Sequence, residues 1–287
     1  MLVSFSYHVR NSLLERIDPR ARWIFSILIL FSITSFWDIR FLAFFFVLAM
    51  IWYSLARLTW KETRRAWYFV FFLMSTMIIV NTIITSAGTI GEVIKGGHPV
   101  LIINWNFIHF TLTIERLWFA LTQMVRILSI SSLFIVIPFT MDPRLYGVTF
   151  RGMGMPDKIA FSLDLAFRFV PTLGRDFQVT LDSQRARGYE VEKVQGGLLA
   201  QIRKMAPLLV PVTMNAILSG EDIINAMDLR CFGLRARTWI ESLSYHWYDF
   251  IVIGLGVILL AGSLVLGFLG YGEFWIPPQL IALVVNH

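Results

Sequence analysis

Five apolar runs, each close to the length of a membrane-spanning helix, constrain this chain more than any other feature. They cover residues 23–37, 41–58, 66–85, 117–139 and 250–269. A helix needs about 20 apolar residues to cross the hydrocarbon core of a bilayer. Hydrophobic residues make up 56% of the chain and charged residues 15%. In soluble chains hydrophobic residues average about 45–50% and charged residues about 25%. The runs therefore predict an all-α integral membrane protein with about five transmembrane helices.

Lys and Arg are distributed unevenly between the connections, which predicts how the chain is oriented. Most of the 25 lie before the first run, between the second and third runs, or in residues 140–248. The remaining connections hold only Arg40, Lys95 and Arg116. Because basic loops stay on the cytoplasmic side, we expect a multi-pass cell-membrane protein with a cytoplasmic N-terminus and an external C-terminus. The net charge of +6 then belongs to the cytoplasmic face, and no nucleic-acid partner is expected.

These patterns divide the chain into three regions. Residues 1–139 form an N-terminal membrane region of about four spans, with an external loop at 86–116 in which alternating apolar residues predict a short hairpin. Residues 140–248 form a cytoplasmic region with two long helices. Residues 249–287 hold the last span and an external tail.

The two long cytoplasmic helices, predicted at 159–187 and 198–230, share one plan. Each is amphipathic, has proline in its first half, and ends on an arginine, Arg187 or Arg230, that glycine or a near glycine follows. An arginine at a helix C-terminus is favoured by the helix dipole and presents a rigid fork of five donors. Two such tips suit clefts lined by carboxylates and carbonyls on a partner, with the tips close together and the helices acting as levers. The alternative is that both arginines are ordinary solvated helix-end residues.

Three stretches carry a family resemblance. The first long helix contains Arg-Phe-Val-Pro-Thr-Leu at 168–173 and ends in Ser-Gln-Arg-Ala-Arg-Gly at 183–188. It resembles the first coupling helix of the transmembrane T component of energy-coupling factor (ECF) transporters, whose signature is Ala-Arg-Gly. Residues 209–232 resemble the second coupling helix. The N-terminal Leu-Glu-Arg-Ile-Asp-Pro-Arg-Ala-Arg at 14–22 is similar to the opening Leu-Asp-Pro-x-x-Lys pattern of the same family.

The second signature departs from the family pattern. Leu229 and Cys231 stand where Ala and Gly are usual, so only Arg230 is at its place. Gly233, two residues further on, is therefore expected to provide the chain reversal. In the N-terminal pattern Arg22 replaces the usual Lys and keeps the charge.

The resemblance implies a non-catalytic coupling subunit of an importer. T components join two cytoplasmic ABC-type ATPases to a small substrate-binding membrane protein, the S component, which carries a vitamin or a transition-metal ion. Closure of the ATPases on ATP moves the coupling helices and topples the S component. The ATPase-docking residues would be Ala186, Arg187, Gly188, Ala226, Arg230 and Gly233. The S component would pack on Leu163, Phe167, Pro171, Leu209, Pro211 and Ile217.

Other functions fit the sequence less well. A conventional ABC permease would need its own substrate path, and the spans hold few polar residues. A membrane enzyme for lipid-linked substrates would need clustered carboxylates or a nucleophile, and the acidic residues here are scattered. No Walker motif is present, so ATP and Mg are expected on partner subunits and no cofactor on this chain. One cysteine and five separated histidines predict no metal site. Arg126, alone deep in an apolar run, is functional, lies close enough to a bilayer interface for its charge to reach water, or pairs with another helix.

Overall fold

A computed structural model describes residues 10, 12–86, 99–105, 108–189, 198–234, 238–272, 275 and 277. Its elements, in chain order, are α1 (Leu13–Arg16), α2 (Pro19–Thr34), α3 (Ile39–Leu55), α4 (Trp60–Ser86), β1 (Pro99–Trp105), β2 (Ile108–Thr113), α5 (Ile114–Thr140), a 3₁₀ turn (Pro143–Leu145), α6 (Tyr146–Gly152), α7 (Asp157–Ala186), α8 (Leu198–Leu229) and α9 (Trp247–Phe268). They form two compact units. The membrane unit holds α1–α5 and α9, and the coupling unit holds Asp142–Leu243.

The five predicted apolar runs are all helices, α2 to α5 and α9. Among the described residues, three helical stretches are long and apolar enough to cross a membrane: Trp60–Val80, Leu117–Thr140 and Trp247–Phe268. The apolar helix α3 is shorter, and α2 carries two arginines in its first turn. The prediction of an all-α membrane protein is confirmed, with one short hairpin added to it.

The hairpin lies where the alternating pattern predicts it. Strands β1 and β2 pair antiparallel, and the register runs from Trp105 opposite Ile108 to Pro99 opposite Thr113. A shift between Pro99 and Leu101 interrupts this register. Because the alternation has a period of two, which is the period of a strand, the sequence alone was sufficient to distinguish it from a sixth helix.

The core of the membrane unit is built from aromatic and branched side chains. α2 packs along α9 and α3 along α5. The short turn between α2 and α3 lets Phe25 of α2 meet Trp52 of α3, with ring centroids 4.5 Å apart. Buried Asp38 closes this turn by accepting a hydrogen bond from the backbone N–H of Arg40 at the start of α3. The turn thus brings the two helices into contact, although each packs more extensively on another helix, α2 on α9 and α3 on α5.

The N-terminal family pattern ties three helix ends together. Asp18 caps α2, and Pro19 occupies its first position, where no backbone N–H is needed. Buried Arg22 donates to the carbonyl and hydroxyl oxygens of Thr140 at the end of α5, at 2.8 and 3.0 Å. The backbone N–H of Asp18 donates to the buried carboxylate of Asp249 in the first turn of α9, at 2.9 Å. The pattern thus fixes the last turn of α5 and the first turn of α9 to the start of α2.

Arg126 of α5 is held by the turn between α2 and α3. Its guanidinium donates to the carbonyl oxygen of Phe36 and lies 4.5 Å from the centroid of the Trp37 ring. A guanidinium on an aromatic face and a backbone carbonyl is a structural arrangement. Of the three interpretations of this charge, structural pairing is the one that these contacts support, with the turn between α2 and α3 as the partner.

We expect Arg126→Ala to destabilise the membrane unit by about 2 kcal/mol, because it removes a charge-assisted hydrogen bond and a cation–π contact. Thermal unfolding in detergent measures this. An unchanged melting temperature in Arg126→Ala would show that the contacts with Phe36 and Trp37 do not stabilise the membrane unit.

In the coupling unit, α7 lies between α6 and α8 and packs on both. Both long helices continue through their internal prolines, Pro171 in α7 and Pro207 and Pro211 in α8. An ion pair between residues four apart stabilises α7, with 3.0 Å between the carboxylate of Asp164 and the guanidinium of Arg168. α6 approaches α7 at Gly147, where a Cβ atom would lie 2.6 Å from the Cβ of Asp164 and 2.7 Å from the carbonyl oxygen of Ala160.

Candidate functional site

The tip of α7 is closed by a Schellman motif. The backbone N–H of Gly188 donates to the carbonyl of Arg185 at 2.9 Å, and that of Tyr189 donates to the carbonyl of Gln184 at 3.0 Å. Gly188 has φ +83°, the left-handed conformation that this motif requires and that glycine adopts without strain. Arg187 is therefore the last residue before the chain reverses. It is exposed, and it makes no ion pair within the described part of the chain.

The tip of α8 closes in the same way, residue for residue. The backbone N–H of Cys231 donates to the carbonyl of Asp228 at 2.9 Å, and that of Phe232 donates to the carbonyl of Met227 at 3.0 Å. Arg230 therefore occupies the position that Arg187 occupies in the first tip. Both arginines are exposed, so the two tips present the same side chain on the same backbone.

The chain reversal of the second tip is made by Cys231 itself, with φ +54°. The expectation that Gly233 provides it was wrong. A non-glycine residue tolerates the left-handed region at a cost of about 1–2 kcal/mol, and the two hydrogen bonds that the motif adds offset part of this cost. Gly233 follows with a positive φ of its own, +90°.

The two tips lie at opposite ends of α7. Phe232, which belongs to the α8 tip, packs on Phe161 near the start of α7, with ring centroids 4.7 Å apart. Arg187 lies 26 residues further along the chain, which is about 39 Å of helix. The expectation that the tips lie close together was therefore wrong. The physical reason for the difference is that the end of α8 packs on the start of α7, which places the C-termini of the two helices far apart.

The other predicted docking residues lie around these tips. Ala186 precedes Arg187 directly and is exposed. Its counterpart in the second tip is Leu229, whereas Ala226 lies one turn before Arg230 on α8. The tips thus share a backbone and an arginine but differ in the neighbouring side chain.

The residues predicted to hold the S component divide between the two long helices. On α8, Leu209 is 61% and Ile217 56% exposed, and Pro211 is partly buried. On α7, Leu163 and Pro171 are partly buried. Phe167 stacks on Tyr146 of α6 with centroids 4.9 Å apart, so part of its ring is already covered within the chain. The most open apolar surface of this set is on α8.

One feature of the tips was missed in the sequence. An aromatic residue follows each arginine by two positions, Tyr189 in the first tip and Phe232 in the second. These are the residues whose backbone N–H groups complete the two motifs. The shared spacing Arg-x-aromatic could have indicated that the chain reverses at Cys231, as it does at Gly188.

A known protein family matches the part of the chain that holds these features. A family model described as "Cobalt transport protein", CbiQ, matches residues 10–240, which include the N-terminal pattern and both tips. The chain belongs to the CbiQ family. Membership makes it a component of a membrane transport system, as the resemblance implies.

Curated relatives of this CbiQ-family chain carry one name, energy-coupling factor transporter transmembrane protein EcfT. The protein from Ruminiclostridium cellulolyticum is 23% identical over 263 residues, which is 87% of this chain and 91% of the relative. The protein from Thermanaerovibrio acidaminovorans is 25% identical over 269 residues, 91% and 94% of the two chains. Identity is 34% over 110 residues with the protein from Lacticaseibacillus paracasei, which is 38% of this chain and 40% of the relative. The resemblance to T components is thus confirmed at the level of the family.

In this CbiQ-family chain we expect Cys231→Gly to stabilise the coupling unit by about 0.5–1 kcal/mol. Glycine removes the left-handed strain, although it also increases the entropy of the unfolded chain. The reciprocal variant Gly188→Cys should destabilise the same unit by a similar amount. Chemical unfolding of both variants in detergent measures the difference. A loss of stability in Cys231→Gly would mean that the thiol makes a contact worth more than the strain.

Proposed function

We propose that the chain is the coupling subunit of an ECF importer. It transmits the closure of two cytoplasmic ABC-type ATPases to a small membrane S component, for the uptake of a vitamin or a transition-metal ion. The N-terminus and the coupling unit face the cytoplasm, and the C-terminus faces outward. ATP and Mg bind to the ATPases, so this subunit needs no cofactor of its own.

The observation that carries this proposal is the pair of matched tips. The two helix ends have the same hydrogen-bond pattern and the same exposed arginine. We therefore infer that each binds a partner in the same way. A separation of about 39 Å along α7 is too large for one binding cleft. It suits two separate sites, one on each ATPase of a pair, and each arginine can form forked hydrogen bonds with a carboxylate there.

The helices supply the mechanical connection. α7 is continuous over 30 residues, and its contact with α6 at Gly147 leaves no room for a methyl group. Closely packed helices move together because their interface does not deform continuously. A displacement of Arg187 by a closing ATPase is therefore carried along α7 to α6 and α8.

The S component would bind to the apolar surface of α8. Leu209 and Ile217 are more than half exposed, and eight residues separate them, which places both on one side of the helix. An apolar stripe of this kind on a cytoplasmic helix needs either a bilayer surface or a membrane-embedded partner. A small membrane protein such as the S component is a partner of the second kind.

Affinity purification of the intact complex, with mass spectrometry of the co-eluting subunits, tests the proposal. We expect two ABC-type ATPase subunits and one small membrane protein with several apolar spans. Purification of the chain without ATPases, under conditions that preserve its fold, would contradict the proposed function. Co-elution with ATPases but without any second membrane protein would favour the conventional permease instead.

A further inference from the structure

The coupling unit contains a cleft of about 800 Å³ beside the α8 tip. It is lined by Val148 of α6, by residues at the start of α7 and by residues that follow α8, among them Phe232, Trp239 and Ile240. Phe161 and Phe232, whose rings pack together, both line it. A volume of this size can hold a drug-sized ligand or a long side chain.

Asp164 lines this cleft and is unusual for its burial. It is 5% exposed. One carboxylate oxygen, Oδ2, pairs with Arg168 at 3.0 Å, and the other, Oδ1, is buried without a hydrogen-bond partner in the described part of the chain. A buried carboxylate oxygen without a donor destabilises a fold, because its hydration is lost and not replaced. Such a group points to a donor that lies outside the described part of the chain.

Three acidic residues, Asp157, Asp164 and Glu241, and two basic residues, Lys158 and Arg168, line the cleft, and this excess of one acidic side chain favours a cationic donor. The side chain of Arg168 is 64% exposed, against 8% for that of Asp164. Solvent and salt therefore screen the arginine, whereas the buried carboxylate keeps its field. The aromatic rings beside it can cover the hydrocarbon stem of a lysine or an arginine and can interact with the charge at its end.

We propose that this cleft receives an arginine or lysine side chain of the ATPase subunit that the α8 tip docks, and that Oδ1 of Asp164 accepts its hydrogen bond. This inference rests on the proposed function. Phe232, two residues after Arg230, lines the cleft, so a protein surface that holds Arg230 lies beside the cleft. The α8 tip and its ATPase would then exchange basic side chains, with Arg230 entering the ATPase and a basic residue of the ATPase reaching Asp164.

The variant Asp164→Asn tests this, because it keeps the shape of the side chain and removes the charge. The affinity of the purified full-length variant, in detergent, is measured for the ATPase subunits that co-purify with the unsubstituted chain. We expect binding to weaken at least about tenfold. We also expect the melting temperature of the variant alone to be unchanged or higher, because a buried charge is removed. Asp176→Asn, on the same helix but outside the cleft, is the matched control and should bind as the unsubstituted chain does.

A second pair of variants leaves Asp164 and its packing intact. Thr238 is exposed and lines the cleft, so Thr238→Arg supplies a cation that competes for the carboxylate from within the chain. It should weaken ATPase binding by at least about fivefold relative to the neutral Thr238→Gln. This pair decides the question if Asp164→Asn proves to be unstable.

Two results would overturn the inference: a stable Asp164→Asn variant that binds the ATPases normally, or equal binding by Thr238→Arg and Thr238→Gln. Either result leaves the proposed function intact, provided that loss of Arg187 and Arg230 still abolishes binding. Normal binding without the two arginines would contradict the proposed function alone. In that case a weakened Asp164→Asn variant would still support the cleft as a contact site.

Discussion

Replacing both Arg187 and Arg230 by Ala is expected to abolish co-purification with the ATPases and ATP-driven uptake. Each substitution removes a guanidinium with five hydrogen-bond donors from one tip. Truncating one partner of a desolvated charge pair lowers affinity by about 2–5 kcal/mol. Two such losses correspond to a weakening of at least about 1,000-fold. Pull-down of the ATPases and uptake in membrane vesicles measure the two effects.

The single substitutions should be equally damaging, because Cys231 gives the second tip the same backbone as Gly188 gives the first. The matched control is the double variant Arg144→Ala and Arg175→Ala. It also removes two exposed arginines from the coupling unit, but neither lies at a tip. If this control loses binding to the same degree, the net positive charge of the unit rather than the tips attracts the ATPases. ATP-driven uptake that survives in the double tip variant would refute the lever assignment.

Gly147→Ala is expected to destabilise the coupling unit by about 1–3 kcal/mol, which is typical of an overpacked interface. The new methyl group would lie 2.6 Å from the Cβ of Asp164 and 2.7 Å from the carbonyl oxygen of Ala160. A backbone oxygen cannot turn aside as a flexible side chain can, so α6 must move away from α7. Because α6 and α7 would then no longer move together, coupling of ATP hydrolysis to uptake should fall by more than the loss of folded protein. Thermal unfolding and the ratio of ATP hydrolysis to uptake measure the two effects.

Gly220→Ala is the matched control for Gly147→Ala. Gly220 lies in α8, and a Cβ atom there would meet nothing within 4 Å. The same substitution should therefore stabilise the isolated chain by about 0.5–1 kcal/mol, because alanine is the better helix former. Opposite signs for the two variants would assign the effect to the α6–α7 contact. Equal destabilisation of both would show that helix packing at Gly147 is not the cause.

Much of the fold was predictable because apolar length and periodicity are local signals. The runs at 23–37 and 250–269 predicted α2 and α9, and the alternation near residue 100 predicted the hairpin. What α2 packs against was not predictable, since the pairing of α2 with α9 joins residues more than 200 positions apart. The role of the N-terminal pattern was hidden for the same reason, because Arg22 acts on Thr140 and Asp18 on Asp249.

The candidate site shows the same division. Both arginines and the ends of both helices followed from local patterns. The conformation of Cys231 did not, because a cysteine is seldom left-handed and glycine two residues later offered a simpler alternative. The distance between the tips depends on how α7 and α8 pack, and a contact between Phe161 and Phe232 determines it. The docking roles of Ala186, Gly188, Ala226 and Gly233 stay predictions about a complex, and so does the proposed S-component surface.

The placement of the tips at opposite ends of α7 makes the length of that helix a functional quantity. A helix advances about 1.5 Å and turns about 100° with each residue. One residue inserted between Phe161 and Arg187 would leave the amino-acid sequence of both tips unchanged. It would nevertheless swing the first guanidinium by more than a quarter of a circle relative to the second. Substitutions along α7 can therefore be tolerated wherever they preserve packing, while a change in residue count would misalign one ATPase with respect to the other.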